Sequence, residues 1–302
     1  MRQRPRGDSR GILDPGRLLR EVRFRRHLPA ESLRPWVEHY WLIDWALSTP
    51  FEQRVVPHPA VNVVFRRDHD RDHGHGDRDG NGDRDGDGNG DRDGDRDGPE
   101  SGEVAGVGRD LFRITLSGTG RVSGVQFRPG GFHPFWHRPV SELTGRRVPL
   151  PTGRLTCPDG PVCGSVSSGP PTPAASDDER CRALDALLTA WRPEPDPLAE
   201  EAVRLAEAIR TDRTVLRVDD FAARHDVPVR RLQRLFLEYV GVGPKWVIRR
   251  YRLQEAVEQA AGGPLSWADL AADLGYSDQA HLVRDFTAVA GVSPAAYARS
   301  VR

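Results

Sequence analysis

Ser266-Trp267-Ala268-Asp269-Leu270-Ala271-Ala272-Asp273-Leu274-Gly275-Tyr276-Ser277-Asp278-Gln279 is the stretch on which the fold turns. Ser266, with Asp269 three residues on, has the form of a capping box that opens a helix with Trp267, Leu270, Ala271 and Leu274 on one face. Gly275 follows the last apolar residue, where a left-handed residue ends a helix at no steric cost. Ser277 or Asp278 then caps a second helix, with Leu282 and Phe286 pointing inward. Two helices joined by a tight turn form the motif whose second helix commonly enters the DNA major groove.

The same unit stands earlier in the chain. Asp220-Phe221-Ala222-Ala223 returns as Asp269-Leu270-Ala271-Ala272, and Leu232, Arg234, Phe236, Gly241, Val242 and Pro244 return as Leu282, Arg284, Phe286, Gly291, Val292 and Pro294. Two copies are too few for a solenoid, so the repeat predicts a pair of like modules. In the first copy Asp226 takes the place of Gly275, and Asp tolerates the left-handed region better than most residues. Pro228 is expected at the first position of the helix that follows.

Charge separates the copies. Lys and Arg total 44 and so do Asp and Glu, yet Arg224 to Arg252 holds eight basic residues against Asp226 and Glu238. From Glu255 to Ala290 the only basic residue is Arg284, against six acids. If DNA is the partner, the first copy and the helix after it are expected to supply most of the phosphate attraction.

The rest of the 302 residues has room for a second domain. No signal peptide and no run of ~18 apolar residues is present, so a soluble cytoplasmic protein with no membrane partner is expected. Residues 1–20, rich in Arg, Gly and Pro, read as a disordered arm. Residues 21–150 read as a small β-rich, cupin-like domain. Strands are expected at Val22-Arg23-Phe24, Val55-Val56, Val61 to Phe65, Leu111 to Leu116 and Val122 to Phe127. Leu33, Trp36, Val37, Tyr40 and Trp41 sit at helical spacing before Trp45. The aromatics Trp36, Tyr40, Trp41, Trp45, Phe127, Phe132 and Trp136 fit a packed core or the lining of a small-molecule pocket.

An Asp/Arg/Gly tract over 66–100 interrupts the strands and reads as a disordered insertion. Its Asp77-x-Asp79-x-Asn81-Gly82 and Asp83-x-Asp85-x-Asp87-Gly88 runs lack the closing Glu of a calcium loop. His69, His73 and His75 form no strong metal site, and His58, His133 and His137 lack the close His-x-His pair and following Glu of a cupin metal centre. Neither metal, cofactor nor catalytic residue is expected. Cys157, Cys163 and Cys181 form no ligand pattern, although the first two are close enough in a Pro/Gly-rich loop to pair. Residues 151–177 read as a linker. A connecting helix at 178–196 bears the stripe Cys181, Leu184, Leu187, Leu188 and Trp191, packed either on the N-terminal domain or on a second subunit.

With these motifs in hand, residues 197–302 resemble the AraC-type DNA-binding domain. The resemblance lies in Leu274-Gly275-Tyr276-Ser277-Asp278-Gln279, Phe286, and Gly291-Val292-Ser293-Pro294-Ala295-Ala296-Tyr297. The stretch from His27 to Leu150 also resembles the sensor-like β domain found ahead of such domains, through Val56-Pro57-His58-Pro59-Ala60-Val61-Asn62, Phe127-Arg128-Pro129-Gly130-Gly131 and Glu142-Leu143. The insertion and long linker depart from that pattern.

The resemblance implies an α+β multidomain chain whose C-terminal domain has seven helices, with Pro244 to Ala261 as a separating helix about 27 Å long. Both recognition helices would then reach successive major grooves about 34 Å apart. Carried over by position, Arg230, Gln233, Arg234, Gln279, Ala280, Val283 and Arg284 face the bases, while Arg231, Lys245, Arg249 and Arg250 face phosphate. Expected partners are double-stranded DNA, RNA polymerase, an unidentified small-molecule effector and a second copy of the chain. The function expected is a sequence-specific transcription regulator, not an enzyme. The alternatives are a cupin-like enzyme or small-molecule binder fused to a degenerate helix-turn-helix, and an adaptor whose acidic second unit no longer binds DNA.

Overall fold

The computed structural model describes residues 11–68, 101–150, 176–261 and 266–300. The Asp/Arg/Gly runs, His69, His73, His75, Cys157, Cys163 and nearly all of the expected linker lie outside the described residues. The N-terminal region runs α1 (Pro15–Glu21), β1 (Arg23–His27), a 3-10 turn (Glu31–Leu33), β2 (Val37–Val55), β3 (Asn62–Asp68), β4 (Ser101–Ala105) and β5 (Phe112–Phe127). It continues with α2 (His133–Trp136), a 3-10 turn (Val140–Leu143) and β6 (Arg147–Pro149). The six strands form one antiparallel sheet in the order β1-β2-β5-β3-β4-β6.

Three expectations fail here. The aromatic stretch from Val37 is a 19-residue strand, not a helix. Both of its faces are covered, so apolar residues occupy consecutive positions and mimic helical spacing. Tyr40 and Leu42 face one cluster, while Trp41, Ile43 and Trp45 face another. The two strands expected at Leu111 to Leu116 and Val122 to Phe127 are a single strand, β5, carried through Gly118 at φ +56°. There the pairing register with β2 shifts between Leu47 and Phe51, a bulge that absorbs the bend. Residues 11–20 are not a disordered arm. Asp14 accepts from the Arg17 N–H, Pro15 sets the first turn, and α1 buries Leu18 at 2% exposure.

The helix α3 (Asp177–Ala190) settles where its stripe goes. Cys181, Leu184, Leu188 and Trp191 pack on the sheet face made by Tyr40, Leu42, Val63, Val125 and Phe127. Each buried Leu contributes about 1.5–3 kcal/mol. Polar anchors fix the helix on that face. Arg180, 1% exposed, donates to the Ser123 hydroxyl, the Val122 carbonyl and Asp44. Arg25 Nε donates to Asp177 at 2.9 Å and holds that carboxyl down at about 2.

The C-terminal region contains α4 (Pro197–Thr211), α5 (Val218–Arg224), α6 (Val229–Leu235), a π-helical turn (Phe236–Val240), α7 (Pro244–Ala261), α8 (Trp267–Asp273), α9 (Gln279–Ala290) and α10 (Pro294–Ser300). Two cores divide along α7. Phe221, Leu232, Phe236 and Val247 belong to one; Leu253, Leu270, Leu282 and Phe286 belong to the other. No helix among the described residues is long and apolar enough to cross a membrane.

Each core takes in residues from the N-terminal region. Val107, fully buried, joins the first, and Leu13 and Val56 join the second. Thr144 donates to the Gly241 carbonyl at 2.6 Å, and His133 lies 3.1 Å from Asp196 and 3.5 Å from Glu238. The His133 ring sits 4.1 Å from that of Tyr239, whose hydroxyl is pushed up to about 12 by burial and by Asp196.

Candidate nucleic-acid interface

Both units form as local chemistry demands. In the first, Asp226 adopts φ +53° and turns the chain between α5 and α6. Pro228 stands one residue outside the expected position, as the N-cap residue of α6, with φ −56° and ψ 134°. Leu232, Leu235 and Phe236 are buried, which turns Arg230, Gln233 and Arg234 to solvent. Gly241, at φ +92°, ends the π-helical turn.

In the second unit Ser266 accepts from the Asp269 N–H at 3.3 Å, and Gly275 adopts φ +73°. Of the two candidate caps, Asp278 caps α9 by accepting from the His281 N–H at 2.7 Å. That bond, then the Ser277 hydroxyl, holds the Asp278 carboxyl below its ordinary range. Leu282, Phe286 and Ala290 face inward, leaving Gln279, Ala280 and Arg284 exposed and Val283 half-buried.

The basic residues sort into two groups. Arg230, Arg234, Lys245 and Arg284 are exposed and make no ion pair with another described residue. The others are engaged. Arg231 forms a bidentate pair with Glu201 of α4, at 2.6 Å in both bonds. Arg249 pairs with Asp285, which ties α7 to α9. Arg252, 2% exposed, donates to the Ile209 and Asp212 carbonyls and closes the end of α4.

Arg250 corrects the phosphate assignment. It is 3% exposed, lies 4.5 Å over the Trp246 ring, and donates through Nη2 to the Arg109 carbonyl at 2.5 Å. Burial lowers its guanidinium to about 10, against the pull of Asp110 and Tyr276. Such a group holds the two regions together and does not meet a phosphate. The eight basic residues of Arg224 to Arg252 thus leave Arg230, Arg234 and Lys245 exposed and unpaired, against Arg284 in the second unit. Sequence reasoning could not separate them, since the face of α7 that meets the N-terminal region is set by tertiary packing.

A cavity of about 450 Å³ lies beside this interface, between the sheet and residues 11–22. Its lining includes Trp41 and Trp45, which the aromatic pattern left open between core and pocket, together with Phe24, His39, Arg26 and Gln126. Tyr40, Phe127 and Phe132 are core. The segment 106–112 forms part of the wall and faces both helical units: Val107 enters the first core, Arg109 receives Arg250, and Leu111 packs on the second.

Residues 221–300 match a family described as "Helix-turn-helix domain", and residues 25–149 match one described as "Domain of unknown function (DUF6597)". No curated protein matches the chain. Among solved structures, the C-terminal domain of AraT, a response regulator from Geobacillus stearothermophilus, is 22% identical, with 35% of this chain and 86% of that one covered and a TM-score of 0.31. ToxT from Vibrio cholerae is 10% identical, with 92% and 98% covered and a TM-score of 0.38. ToxT bound to (E)-4-(8-methylnaphthalen-1-yl)but-3-enoic acid gives 10%, 93% and 100%, with a TM-score of 0.40. Scores this low add nothing to the assignment, which rests on the family match to the repeated unit. Residues 221–300 are therefore a helix-turn-helix domain, repeated as two units about α7.

Proposed function

We propose that α6 and α9 read one DNA site from successive major grooves, with the first unit as the anchor. Arg230, Gln233 and Arg234 meet base edges from α6, and Gln279, Ala280, Val283 and Arg284 do so from α9. Arg pairs with guanine and Gln with adenine, while Ala280 and Val283 offer apolar contact to a thymine methyl. Lys245 meets phosphate, and Arg231 and Arg249 join it only by exchanging a carboxylate for a phosphate. The observation that supports this reading is that Arg230 and Arg234 on α6 and Arg284 on α9 are exposed without an ion pair to another described residue, while Arg231, Arg249, Arg250 and Arg252 are engaged.

The cavity is the effector site in this reading, and the segment 106–112 is the link, because it borders the cavity and both helical cores. An effector shifts DNA affinity only as far as it binds the two arrangements of that link unequally. The protein works in the cytoplasm without enzymatic activity of its own. Contact with RNA polymerase and pairing of two copies rest on the AraC-type resemblance alone.

A mobility-shift titration at fixed salt with the gene's own upstream region tests the anchor. Arg234→Ala is expected to lose about 1–3 kcal/mol of binding, and Arg284→Ala less. Equal losses overturn the assignment of the first unit as anchor.

A further inference from the structure

Three neutral polar side chains stand in one row on the cavity wall. Strand register pairs His39 of β2 with Gln126 of β5, and Gln126 with Asn62 of β3, so all three rise from the same face of the sheet. All three line the cavity, with adjacent strands about 4.8 Å apart. His39 is 7% exposed, and its Nε2 has no hydrogen-bond partner. Burial, then Arg26 and His58, hold its imidazole well below the ordinary range, so the ring is neutral. The Gln126 side chain makes no hydrogen bond with another described residue. Asn62 engages only Oδ1, which accepts from Trp41 Nε1 at 3.3 Å, and keeps both N–H groups of its amide. A buried polar atom without a partner carries a cost that a ligand meeting it removes.

The bond to Asn62 also lays out a platform. The Trp41 side chain starts on β2 and ends at Asn62 on β3, so it crosses β5 between them. Gly124 of β5 makes the crossing possible, because a Cβ there would come within 2.0 Å of the indole. One face of the ring thus lies on the sheet beside the polar row, and a flat partner stacks well on such a ring. Trp45 is different. Arg66 lies 5.8 Å over its ring, and Arg66 and Asp68 stand in register with Val122 and Gly120, so that end of the wall is charged.

The polar row itself holds no charge on β2, β5 or β3. Across the sheet it continues to Ala105 of β4 and then Arg147 of β6, whose guanidinium pairs with Glu103. Arg26, in register with Trp41, lies 5.2 Å over the Phe24 ring. A neutral row of this kind selects by its pattern of donors and acceptors, and an ion would give up hydration there without a counter-charge in the row.

We propose, resting on the reading of this cavity as the effector site, that it takes a neutral planar heterocycle with a lactam edge, a ring N–H beside a ring carbonyl. The ring stacks on Trp41. Its N–H donates to His39 Nε2 or Gln126 Oε1, and its carbonyl accepts from the Asn62 or Gln126 amide. A donor next to an acceptor on one edge meets the row's acceptors and donors together.

Calorimetry on the full chain compares 2-quinolone with two relatives. N-methyl-2-quinolone keeps the ring and loses the N–H; the ring-saturated decahydro form keeps the lactam and is not flat. The parent is expected to bind about tenfold or more tightly than either. Gln126→Leu is expected to bring the parent and N-methyl probes to within about threefold of each other while the N-methyl affinity holds. His39→Leu carries the same comparison should Gln126→Leu fail to fold. Equal binding of the parent and N-methyl probes to the wild-type chain overturns the lactam edge, equal binding of the flat and saturated rings overturns the platform, and binding of none overturns both. The effector reading is tested apart, by adding 2-quinolone to the mobility-shift titration. Selective binding that leaves DNA affinity unchanged overturns the effector reading and leaves the ligand class standing. An altered DNA affinity without selectivity among the probes does the reverse.

Discussion

The two helix-turn-helix units share a fold and differ in how they are held. In the first, α6 spans seven residues and passes into a π-helical turn, which packs on the N-terminal region beside Thr144 and His133. In the second, α9 runs for 12 residues between the Asp278 cap and Gly291 at φ +73°. The first unit keeps more exposed, unpaired charge, but far less than its composition implies. Arg231 and Arg252 brace α4, Arg249 braces α9, and Arg250 braces the N-terminal region. The basic residues of this domain thus divide between those that brace the fold and those left exposed, and only packing shows the division.

The largest expected effect breaks or keeps that asymmetry. Arg230→Ala with Arg234→Ala should weaken binding to the specific site by about a hundredfold or more, and Arg284→Ala by about tenfold, in titrations at one salt concentration. Next, Arg250→Met and Lys245→Gln should fail in different ways. Arg250→Met should lose about 1–3 kcal/mol in chemical denaturation and leave the salt dependence of DNA binding unchanged. Lys245→Gln should leave stability alone and reduce the slope of log affinity against log salt by about 1. A reduced slope for Arg250→Met would return that residue to the phosphate-facing set.

Smaller effects sharpen the comparison at the turns. Gly275→Ala forces a Cβ into a left-handed position and within 3.0 Å of Leu216, and should cost about 1–2 kcal/mol in thermal unfolding. Asp226→Gly, at the matching turn, should be neutral or add up to about 1 kcal/mol. Smallest is a pH effect that touches neither unit. Asp177 is depressed to about 2 by Arg25, so its stabilisation is full above its unfolded value near 3.8 and is lost as pH falls through 2. Asp177→Asn should flatten the acid limb of the stability curve in that window.

The sequence carried the C-terminal units because their signals are local: Ser266, Gly275 and Asp226 act on their own turns, and Leu282 with Phe286 mark the inner face. β2 was misread because it is buried on both sides, so the period-2 pattern is erased and Leu33, Trp36, Val37, Tyr40 and Trp41 fall by chance at helical intervals. α1 was hidden by its arginines, although the Asp14-Pro15 start and the buried Leu18 were present to be read. Arg250 and the cavity were out of reach for another reason. Arg250 depends on which surface of one region meets the other, and the cavity on how strands far apart in the sequence pair, and no local spacing encodes either.

Leu13 has a consequence for how the chain is made. It is 3% exposed in a cluster built from Leu253, Leu270, Leu282, Phe286 and Tyr297, all of which leave the ribosome more than two hundred residues later. At about 5–20 residues per second, translation leaves that side chain without its seat for roughly 12–50 s. Leu18 and Val22, a few residues on, pack on the sheet's own cluster and can settle at once, so Leu13 alone in this segment waits for the C-terminal helices.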